Sequence, residues 1–282
     1  MDISIIIPTY NKENRLDITL QSLVNDYKKS KKEHNIELIV VDDGSTDLTN
    51  KIVNKYKKDI NLKYILKENG GLSSARNRGI IEYKYDILLF LDDDRVICNS
   101  YFDNLFLGEN DIVIGKRKEW YIRNFEKNYS KIIQMVNHDI EYIESITYDS
   151  RYYSKTKMLY INNQSKISWV GCTFANTLIK KEVFEKIGYF SIDFKGWGFE
   201  DIDVAYRAYK YGFKIGLNKS MVTYHLFHQH GKEILKQRDE NYKVFYKRNP
   251  DYPVRVYKNF YKNIINVKEF EYKVDKYYED RK

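Results

Sequence analysis

The stretch Ile3-Ser4-Ile5-Ile6-Ile7-Pro8 opens the chain with a nearly unbroken β-branched run that a proline closes. Such a run predicts a strand buried on both faces, as strands of parallel sheets are. Further apolar runs alternate with stretches of helical spacing: strands are predicted at 37–41, 62–66 and 87–91, and helices at 14–24, 47–56 and 73–83. This alternation predicts an α/β fold with helices on both faces of the sheet. Sheets of this kind bind ligands at the carboxyl ends of their strands.

Three acidic clusters follow predicted strands or open a predicted helix. They lie at 42–47, after the second strand, at 92–94, after the fourth strand, and at 200–203, where a late helix begins. Carboxylates at the ends of buried strands are unfavourable unless a cation or hydrogen-bond donors meet them. Helix capping by a single aspartate is the alternative, but capping does not require three adjacent aspartates. Asp92 and Asp94 are spaced to bind one hard divalent cation together with phosphate oxygens.

The composition is that of a globular protein. The 282 residues carry 48 basic and 40 acidic side chains, for a formal net charge of +8, and 43% of the residues are hydrophobic. The 13 glycines and 3 prolines exclude collagen-like and low-complexity chains, and having only two cysteines, Cys98 and Cys172, excludes a disulfide scaffold. The first residues do not resemble a signal peptide, and no stretch has the ~18 apolar residues needed to span a bilayer. We therefore expect a cytoplasmic protein.

The positive charge is concentrated in the last segment. Residues 231–282 hold 14 Lys and Arg against 9 Asp and Glu, which accounts for +5 of the +8, and they are rich in tyrosine. A basic, aromatic segment suits contact with nucleic acid, an anionic lipid surface or an anionic substrate. The plainer interpretation is a solvated helical flank. We predict one domain at 1–230 and a basic, tyrosine-rich helical extension at 231–282.

The chain between the fourth strand and this extension is less regular. Residues 99–168 contain no sharp motif, and we expect them to form loops and helices that shape an acceptor site. From Trp169 onwards the pattern predicts a strand, then a helix at 181–187 and a helix at 199–211.

Four motifs stand in order within the first hundred residues. They are the opening strand with its Pro8-Thr9-Tyr10-Asn11 turn, the Asp42-Asp43-Gly44-Ser45-Thr46-Asp47 cluster, the Gly71-Leu72-Ser73-Ser74-Ala75-Arg76-Asn77 segment and the Asp92-x-Asp94 pair. They resemble the nucleotide-sugar domain of GT-A glycosyltransferases of family 2. The later segment 194–203 resembles the tryptophan–glycine–acidic segment of galactosyl-, N-acetylgalactosaminyl- and chondroitin-type transferases. The resemblance implies the GT-A, Rossmann-like fold with a mixed, mainly parallel sheet, a nucleotide-sugar half at 1–98 and an acceptor half at 99–230.

The resemblance implies a donor site at the strand ends. Tyr10 would stack on uracil, although a simple loop tyrosine is the alternative, and Asp43 would accept a hydrogen bond from the uracil imide. Asp92 would meet the ribose or the ion, and Asp94 the ion and the diphosphate. The donor-binding residues implied in this way are Pro8, Tyr10, Asp42, Asp43, Arg76, Asp92 and Asp93.

The resemblance also implies a catalytic base and acceptor contacts where the late helix begins. Asp201 would remove the proton of the acceptor hydroxyl during in-line attack at the anomeric carbon, and Glu200 would hold an acceptor hydroxyl. Trp197 would offer an apolar face to a sugar ring, with a core tryptophan as the alternative. Asp203 is the structural acid, because it and Arg207 are four residues apart on the helix and are expected to pair on the surface.

Three histidines lie close together near the end of the domain. They are His225, His228 and His230, and no cysteine or nearby carboxylate completes a structural zinc site with them. In the transferases that the chain resembles, a histidine after the last strand completes the ligands of the cation. His225 fits that place best and His228 is second. The implied ligands of Mn²⁺ or Mg²⁺ are therefore Asp94, Asp92 and His225.

Together, the motifs and the resemblance predict an inverting, metal-dependent glycosyltransferase of bacterial-type glycan or glycoconjugate synthesis. It would move a sugar from a nucleotide-sugar donor, a UDP-sugar, to a hydroxyl of a glycan, lipid-linked or peptide acceptor. The nearest alternative is a sugar-nucleotide nucleotidyltransferase, although the glycine-rich basic turn typical of that class is missing after the first strand. A nucleic-acid-binding protein is more distant, because three acidic clusters would repel phosphate. We expect no nucleic-acid partner, while the basic extension suits peripheral contact with the inner face of the membrane.

Overall fold

A computed structural model describes residues 1–160, 165–228, 231 and 233–281. Its strands are β1 (Ile3–Thr9), β2 (Ile36–Asp42), β3 (Leu62–Leu66), β4 (Ile87–Leu91), β5 (Arg95–Ile97), β6 (Ile112–Trp120), β7 (Tyr148–Asp149), β8 (Asn176–Lys180) and β9 (Ile215–Leu226). They form one sheet with the order β3-β2-β1-β4-β8-β6-β9-β5, and β7 pairs with β6 beside this path.

The helices are distributed along the whole chain. They are α1 (Glu13–Lys29), α2 (Thr49–Tyr56), α3 (Leu72–Ile81), α4 (Tyr129–His138), α5 (Ile140–Ile146), α6 (Arg151–Thr156), α7 (Lys181–Ile187), α8 (Glu200–Tyr211), α9 (Ile234–Arg248), α10 (Tyr252–Tyr261) and α11 (Val267–Glu279). Among the described residues, no helix is both long enough and apolar enough to cross a bilayer.

The opening strand β1 lies inside the parallel half of the sheet. It pairs in parallel with β2 and β4, and β2 pairs in parallel with β3. The other half is mixed, because β8 is antiparallel to both β4 and β6, whereas β9 is parallel to β6. The predicted α/β class with a mixed sheet is confirmed, and the apolar runs at 62–66 and 87–91 are strands with those bounds.

Alternate residues of β1 enter two separate cores, one on each face of the sheet. Ile5 and Ile7 belong to the core that contains the apolar face of α1, and Ile6 belongs to the opposite core with Ala75 of α3. Helix α3 packs closely on β1 at this point, because a Cβ added to Gly79 of α3 would lie only 2.4 Å from the Ile6 side chain. Helices therefore cover both faces, which explains why β1 is apolar without alternation.

Backbone hydrogen bonds hold the acidic clusters at the carboxyl edge of the sheet. The Asp43 amide donates to the Thr9 carbonyl, with N and O 2.9 Å apart, and this bond joins the ends of β1 and β2. The Leu226 amide donates to the Asp94 carbonyl at 2.9 Å, and this bond joins the end of β9 to the acidic loop after β4. Residues far apart in the sequence are thereby placed at one edge.

Asp203 pairs with Arg207 as expected, but the expectation that this pair lies on the surface is wrong. Arg207 Nε does donate to Asp203 Oδ2 at 2.9 Å, as the four-residue spacing predicts. However, Asp203 is fully buried, and its other oxygen accepts from Asn249 Nδ2 at 3.0 Å and from Arg248 Nε at 3.3 Å. The end of α9 covers this face of α8, and helical spacing alone carried no information about that contact.

The C-terminal helices share the core of the domain. Trp169 is fully buried, and its ring centroid lies 5.2 Å from that of Tyr257 in α10 and 6.2 Å from those of Phe245 in α9 and Phe270 in α11. Residues 231–282 are helical as expected, but one face of each helix packs inward, so they are not a solvated flank. Trp169 itself lies in a 3₁₀ turn, and the strand expected from it begins later, at Asn176.

Candidate active site

A large cavity of about 840 Å³ opens at the carboxyl edge of the sheet. It is lined by most of the site residues that were predicted from the sequence. These are Pro8, Tyr10, Asp43, Arg76, Asp92, Asp93, Asp94, Trp197, Glu200, Asp201, His225 and His228. Asp42 is not among the lining residues, and His230 lies outside the described part of the chain.

The adjacent aspartates Asp42 and Asp43 point to different partners. Asp42 is buried, and its two oxygens accept from the Tyr64 hydroxyl at 2.6 Å and the Ser45 amide at 2.8 Å. Asp43 accepts from Lys67 Nζ at 2.6 Å and from the amides of Gly70 and Gly71 at 3.0 and 2.7 Å. Asp43 therefore fixes the glycine turn before α3 and also faces the cavity, whereas Asp42 holds the end of β2.

Arg76 is the charged centre of the site. Its side chain is 1% exposed, and its guanidinium joins two acidic clusters. Nη1 lies 2.6 Å from Asp201 Oδ1 and 3.9 Å from Glu200 Oε1, while Nη2 lies 3.0 Å from Asp92 Oδ1. A buried charge is stable only when it is paired and hydrogen bonded. Arg76 meets that condition because α3 brings it between the loop after β4 and the start of α8.

At the start of α8, Glu200 is buried and Asp201 is half-buried, and the charge of Asp201 acts on Glu200. Burial raises the pKa of Glu200 to about 7, and the nearby charge of Asp201 acts in the same direction. Burial also raises the pKa of Asp201, although Arg76 and a hydrogen bond from the Phe174 amide, 2.9 Å from Oδ2, oppose the increase. A carboxyl with a raised pKa that faces a cavity is suited to accept a proton near neutral pH.

Asp94, His225 and His228 form a cluster that could hold a metal ion. Asp94 Oδ2 lies 3.4 Å from His225 Nε2 and 3.3 Å from His228 Nε2, and one ligand atom from each residue falls within 4.8 Å of the others. Burial disfavours charge on Asp94, but Lys12 and the two histidines outweigh it and hold the pKa of the carboxyl well below its usual range. The carboxylate is therefore ionised, as a metal ligand must be.

A second carboxylate contacts His225 from behind. Glu119 Oε2 and Arg117 Nη2 lie 2.6 and 2.9 Å from His225 Nδ1, while Nε2 of the same ring faces Asp94. Burial disfavours charge on Glu119, but His225 and Arg117, whose Nε lies 2.8 Å from Oε1, lower the pKa of Glu119 to about 2. A carboxylate behind the imidazole is the usual support of a metal-binding histidine.

Lys12 and Glu119 were missed in the sequence. Lys12 Nζ lies 2.9 Å from Asp93 Oδ1 and 3.5 Å from Asp94 Oδ2, and these contacts raise the pKa of Lys12 against the opposing effect of burial. The only signal was a basic residue shortly after the first strand. Glu119 lies in the stretch that showed no motif, so no local pattern linked it to a histidine in β9.

Asp92 lies apart from the histidine cluster. Its carboxylate contacts Arg76 at 3.0 Å and Arg95 Nη2 at 3.6 Å. Asp93, between the two residues of the predicted ligand pair, is buried, and its carboxylate turns to Lys12. Of the two aspartates predicted as ligands, the structure therefore brings Asp94 to the histidines and Asp92 to two arginines.

Two exposed aromatic side chains line the cavity. Tyr10 is 47% exposed and Trp197 is 46% exposed, and both line the cavity. Trp197 is thus not a core residue, and its backbone is held from α9, where Gln237 Oε1 accepts from its amide at 3.2 Å. Both rings are placed to contact a bound molecule.

Two family models match the chain. The model described as glycosyl transferase family 2 matches residues 4–188, and the model described as the N-terminal domain of galactosyltransferase matches residues 160–230. The first match covers more than half of the chain and includes the motifs at the carboxyl ends of β1, β2 and β4.

Among curated relatives, chondroitin synthase from Pasteurella multocida (strain Pm70) is 33% identical over 243 residues, covering 79% of this chain and 24% of that synthase. The chain thus spans about a quarter of that relative's length.

The solved structure of S. aureus TarS 1-349 in complex with UDP-GlcNAc is similar with a TM-score of 0.59 and 23% identity, covering 86% of this chain and 64% of that one. The mannosyltransferase PcManGT from Pyrobaculum calidifontis, in complex with GDP-Man and Mn²⁺, gives a TM-score of 0.58 and 17% identity, covering 88% and 64%. These two structures share the fold of this chain.

Proposed function

Because this chain belongs to glycosyl transferase family 2 and has the GT-A fold, we propose that it transfers a sugar from a UDP-sugar to an acceptor hydroxyl with inversion at the anomeric carbon. The reaction would depend on a divalent metal ion. The acceptor would be a glycan, a lipid-linked sugar or a peptide in bacterial-type glycan or glycoconjugate synthesis, which is the field of the chondroitin synthase that the chain resembles.

The observation that carries this proposal is the shared cavity. Tyr10, Asp43, Trp197 and Asp201 all line it, and Asp94 lies in the same cavity with its two histidines. Single displacement requires the nucleotide sugar and the acceptor to be held side by side, with one base at the acceptor and charge stabilisation at the leaving group. The arrangement supports each of these roles.

Asp201 is the proposed base. Its raised pKa brings proton uptake closer to neutral pH, and its oxygens are held by Arg76 and by the Phe174 amide. Holding the carboxylate from two sides fixes its direction, which matters because misplacement of a reacting group by about 1 Å can cost ~10² in rate. Glu200, beside it, would hold an acceptor hydroxyl, and Trp197 would stack on a sugar ring.

The donor would occupy the part of the cavity next to β1 and α3. Tyr10 would stack on uracil and Asp43 would accept from its imide, with Pro8 forming the floor and Asp92 meeting the ribose. Asp42 would act indirectly: its hydrogen bonds with Tyr64 and Ser45 anchor the end of β2, which carries Asp43. Arg76 and Asp93 would act through the carboxylates and the lysine that they contact.

The residues that would hold the metal are Asp94, His225 and His228. Two imidazoles with one carboxylate suit Mn²⁺ better than Mg²⁺, which prefers oxygen ligands in octahedral geometry. When bound, the ion would neutralise negative charge on the leaving diphosphate. Asp92 remains a proposed ligand, although Arg76 and Arg95 contact it in this structure.

The nucleotidyltransferase and nucleic-acid-binding alternatives are set aside, because the two family matches together cover all three acidic clusters. The experiment is a screen of UDP-, GDP- and dTDP-sugars for metal-dependent hydrolysis and transfer. We expect release of UDP from a UDP-sugar when Mn²⁺ is present. Release of pyrophosphate instead, or no turnover with any UDP-sugar, would overturn the proposal.

Peripheral membrane contact through residues 231–282 stays a prediction, as does a cytoplasmic location. The inward faces of these helices are used for packing, so any such contact would depend on exposed basic side chains. Sedimentation with vesicles that contain anionic lipid, at low and high salt, would test it.

A further inference from the structure

The C-terminal helices supply one wall of the cavity. Residues 231–282 lie outside both family matches, which end at residues 188 and 230. Nevertheless, Arg238 of α9, the end of α10 and Asn263 line the same cavity as Asp201; the α10 residues are Tyr257, Phe260 and Tyr261. This wall is therefore formed by residues that neither family model covers.

The wall lies next to the proposed catalytic base. The Tyr261 ring centroid is 5.3 Å from that of Phe199, the residue that precedes α8 and its two acids. Asn241 of α9 donates to the Trp197 carbonyl at 3.2 Å, and Gln237 accepts from the Trp197 amide. The C-terminal segment thus fixes the loop that carries Trp197 and borders the part of the cavity where an acceptor would meet Asp201.

Two cations, Arg238 on this wall and Lys155 beside it, have no carboxylate partner among the described residues that line the cavity. The Arg238 guanidinium lies over the Tyr261 ring, 4.9 Å from its centroid. Arg238 Nη2 also lies 3.8 Å from Asp239 Oδ1, but Asp239 is not among the residues that line the cavity. Tyr261 and Lys262 also contact that carboxylate, at 3.2 and 3.3 Å. Arg238 Nε is buried without a hydrogen bond among the described residues.

Lys155 of α6 is the second cation. Its Nζ donates to Asn263 Oδ1 at 2.5 Å, just beyond the end of α10. Burial and the nearby charge of Arg151 lower the pKa of Lys155, which is the effect expected of an ammonium group without a counter-anion. By contrast, Lys12 and Arg76, elsewhere in the cavity, are paired with Asp93, Asp201 and Asp92.

We propose that Arg238 and Lys155, together with the aromatic wall of Tyr261 and Trp197, form an acceptor subsite for an anionic saccharide. This inference rests on the proposed function and deepens it. The rings offer flat apolar faces to sugar rings, and the arginine offers donors that match a carboxylate or a phosphate. The subsite thus binds a glycan that carries a negative charge close to the hydroxyl that reacts.

The test measures binding of three defined oligosaccharides to the full chain in the presence of UDP and Mn²⁺. One ends in a hexuronic acid, the second is the same molecule with its carboxylate reduced to an alcohol, and the third ends in a sugar phosphate. We expect at least one charged probe to bind about tenfold more tightly than the neutral one, since removing a charge-assisted hydrogen bond typically costs that much. The better of the two charged probes identifies the source of the charge.

The variants Arg238→Gln and Lys155→Gln should each reduce this preference, and the double variant should abolish it. UDP affinity should not change, because the contacts of both side chains are with residues other than the proposed donor residues. Arg255→Gln is the matched control: this arginine is exposed, stacks on Tyr252 in the same helix α10 and does not line the cavity. It should keep the preference.

The inference is wrong if the neutral probe binds as tightly as both charged probes, or if the double variant retains the preference. It is also wrong if either single variant weakens UDP binding as much as saccharide binding. Failure of the proposed function looks different, since the wild-type chain would then bind no UDP-sugar and release no UDP whatever the acceptor.

Discussion

Arg76 Nη1 lies 2.6 Å from Asp201 Oδ1, although the two residues are 125 positions apart in the sequence. The same guanidinium lies 3.0 Å from Asp92 on its other side. One buried arginine therefore joins the start of α8, with the proposed base, to the loop after β4, with the proposed donor contacts. The resemblance implied that Arg76 binds the donor, which stays a prediction, and from these contacts we propose that Arg76 also positions Asp201.

Replacing Arg76 should reduce turnover and change its pH dependence. Arg76→Lys keeps one charge but cannot contact both carboxylates, so we expect kcat to fall by roughly 10²-fold. Because Arg76 opposes the increase in the pKa of Asp201, the limb of the pH–rate profile that reports the base should move to higher pH. Arg78→Lys, on the exposed face of α3 beside Glu82, is the control. An unchanged profile would show that Arg76 does not act on Asp201.

Replacing Asp201 should lower the activity, whereas replacing Asp203 should lower the stability. Asp201→Asn cannot accept a proton, and loss of a general base typically costs about 10² to 10⁴ in rate. Asp203→Asn should keep most of the activity but lower the free energy of unfolding by on the order of 1–3 kcal/mol, because Arg207 and Arg248 lose a buried charged partner. Steady-state kinetics and urea unfolding of both variants measure these effects.

Two results would contradict this assignment. One is an inactive Asp203 variant beside an active Asp201 variant, which would move the base by two residues along α8. The other is a product that retains the anomeric configuration of the donor, because one displacement by a hydroxyl that Asp201 activates must invert it.

Metal binding should depend on Asp94 and on the carboxylate behind His225. Asp94→Asn should reduce Mn²⁺ affinity, measured by electron paramagnetic resonance or calorimetry on the free protein, by at least about tenfold. Glu119→Gln should reduce it by ~10–100-fold, since partners behind ligating histidines have effects of that size. Asp92→Asn should have a smaller effect because two arginines contact Asp92. Full turnover in excess EDTA, or equal losses in all three variants, would contradict this assignment.

The parts of the site that lie on strand ends were predictable because their signals are local. The apolar runs before Asp43 and Asp92 predict strands, and parallel strands bring their carboxyl ends to one edge. Lys12 and Glu119 were not predictable, since their partners Asp93 and His225 lie 81 and 106 positions away. A pairing of that kind depends on the three-dimensional fold, and a single charged residue in the sequence does not reveal it.

The buried position of Asp203 was missed for a related reason. The spacing to Arg207 predicts their contact correctly, but not which elements cover it. The basic composition of residues 231–282 favoured a solvated flank, whereas their apolar residues recur at helical spacing and pack around Trp169. Net charge describes the exposed faces of these helices and is uninformative about the faces that pack.

Glu200 should make the stability of the protein depend on pH. Its pKa is raised from an ordinary value of 4.5 to about 7, so the folded state binds a proton more tightly than the unfolded state does. This contribution is fully present below pH 4.5 and is lost as the pH rises towards 7. Glu200→Gln stays neutral at every pH and removes that loss. Relative to wild type, the variant should therefore be more stable at pH 8 than at pH 5, by on the order of 1–3 kcal/mol.

Urea unfolding at pH 5 and pH 8 measures the difference, with the free energies of unfolding of the two proteins compared at each pH. Glu279→Gln, at the exposed end of α11, is the matched control and should follow wild type. The comparison uses only the difference between variant and wild type, so titration of other groups cancels unless they contact Glu200. If wild type and Glu200→Gln respond to pH in parallel, Glu200 is ionised in the folded protein across this range, and the inference that burial raises its pKa is wrong.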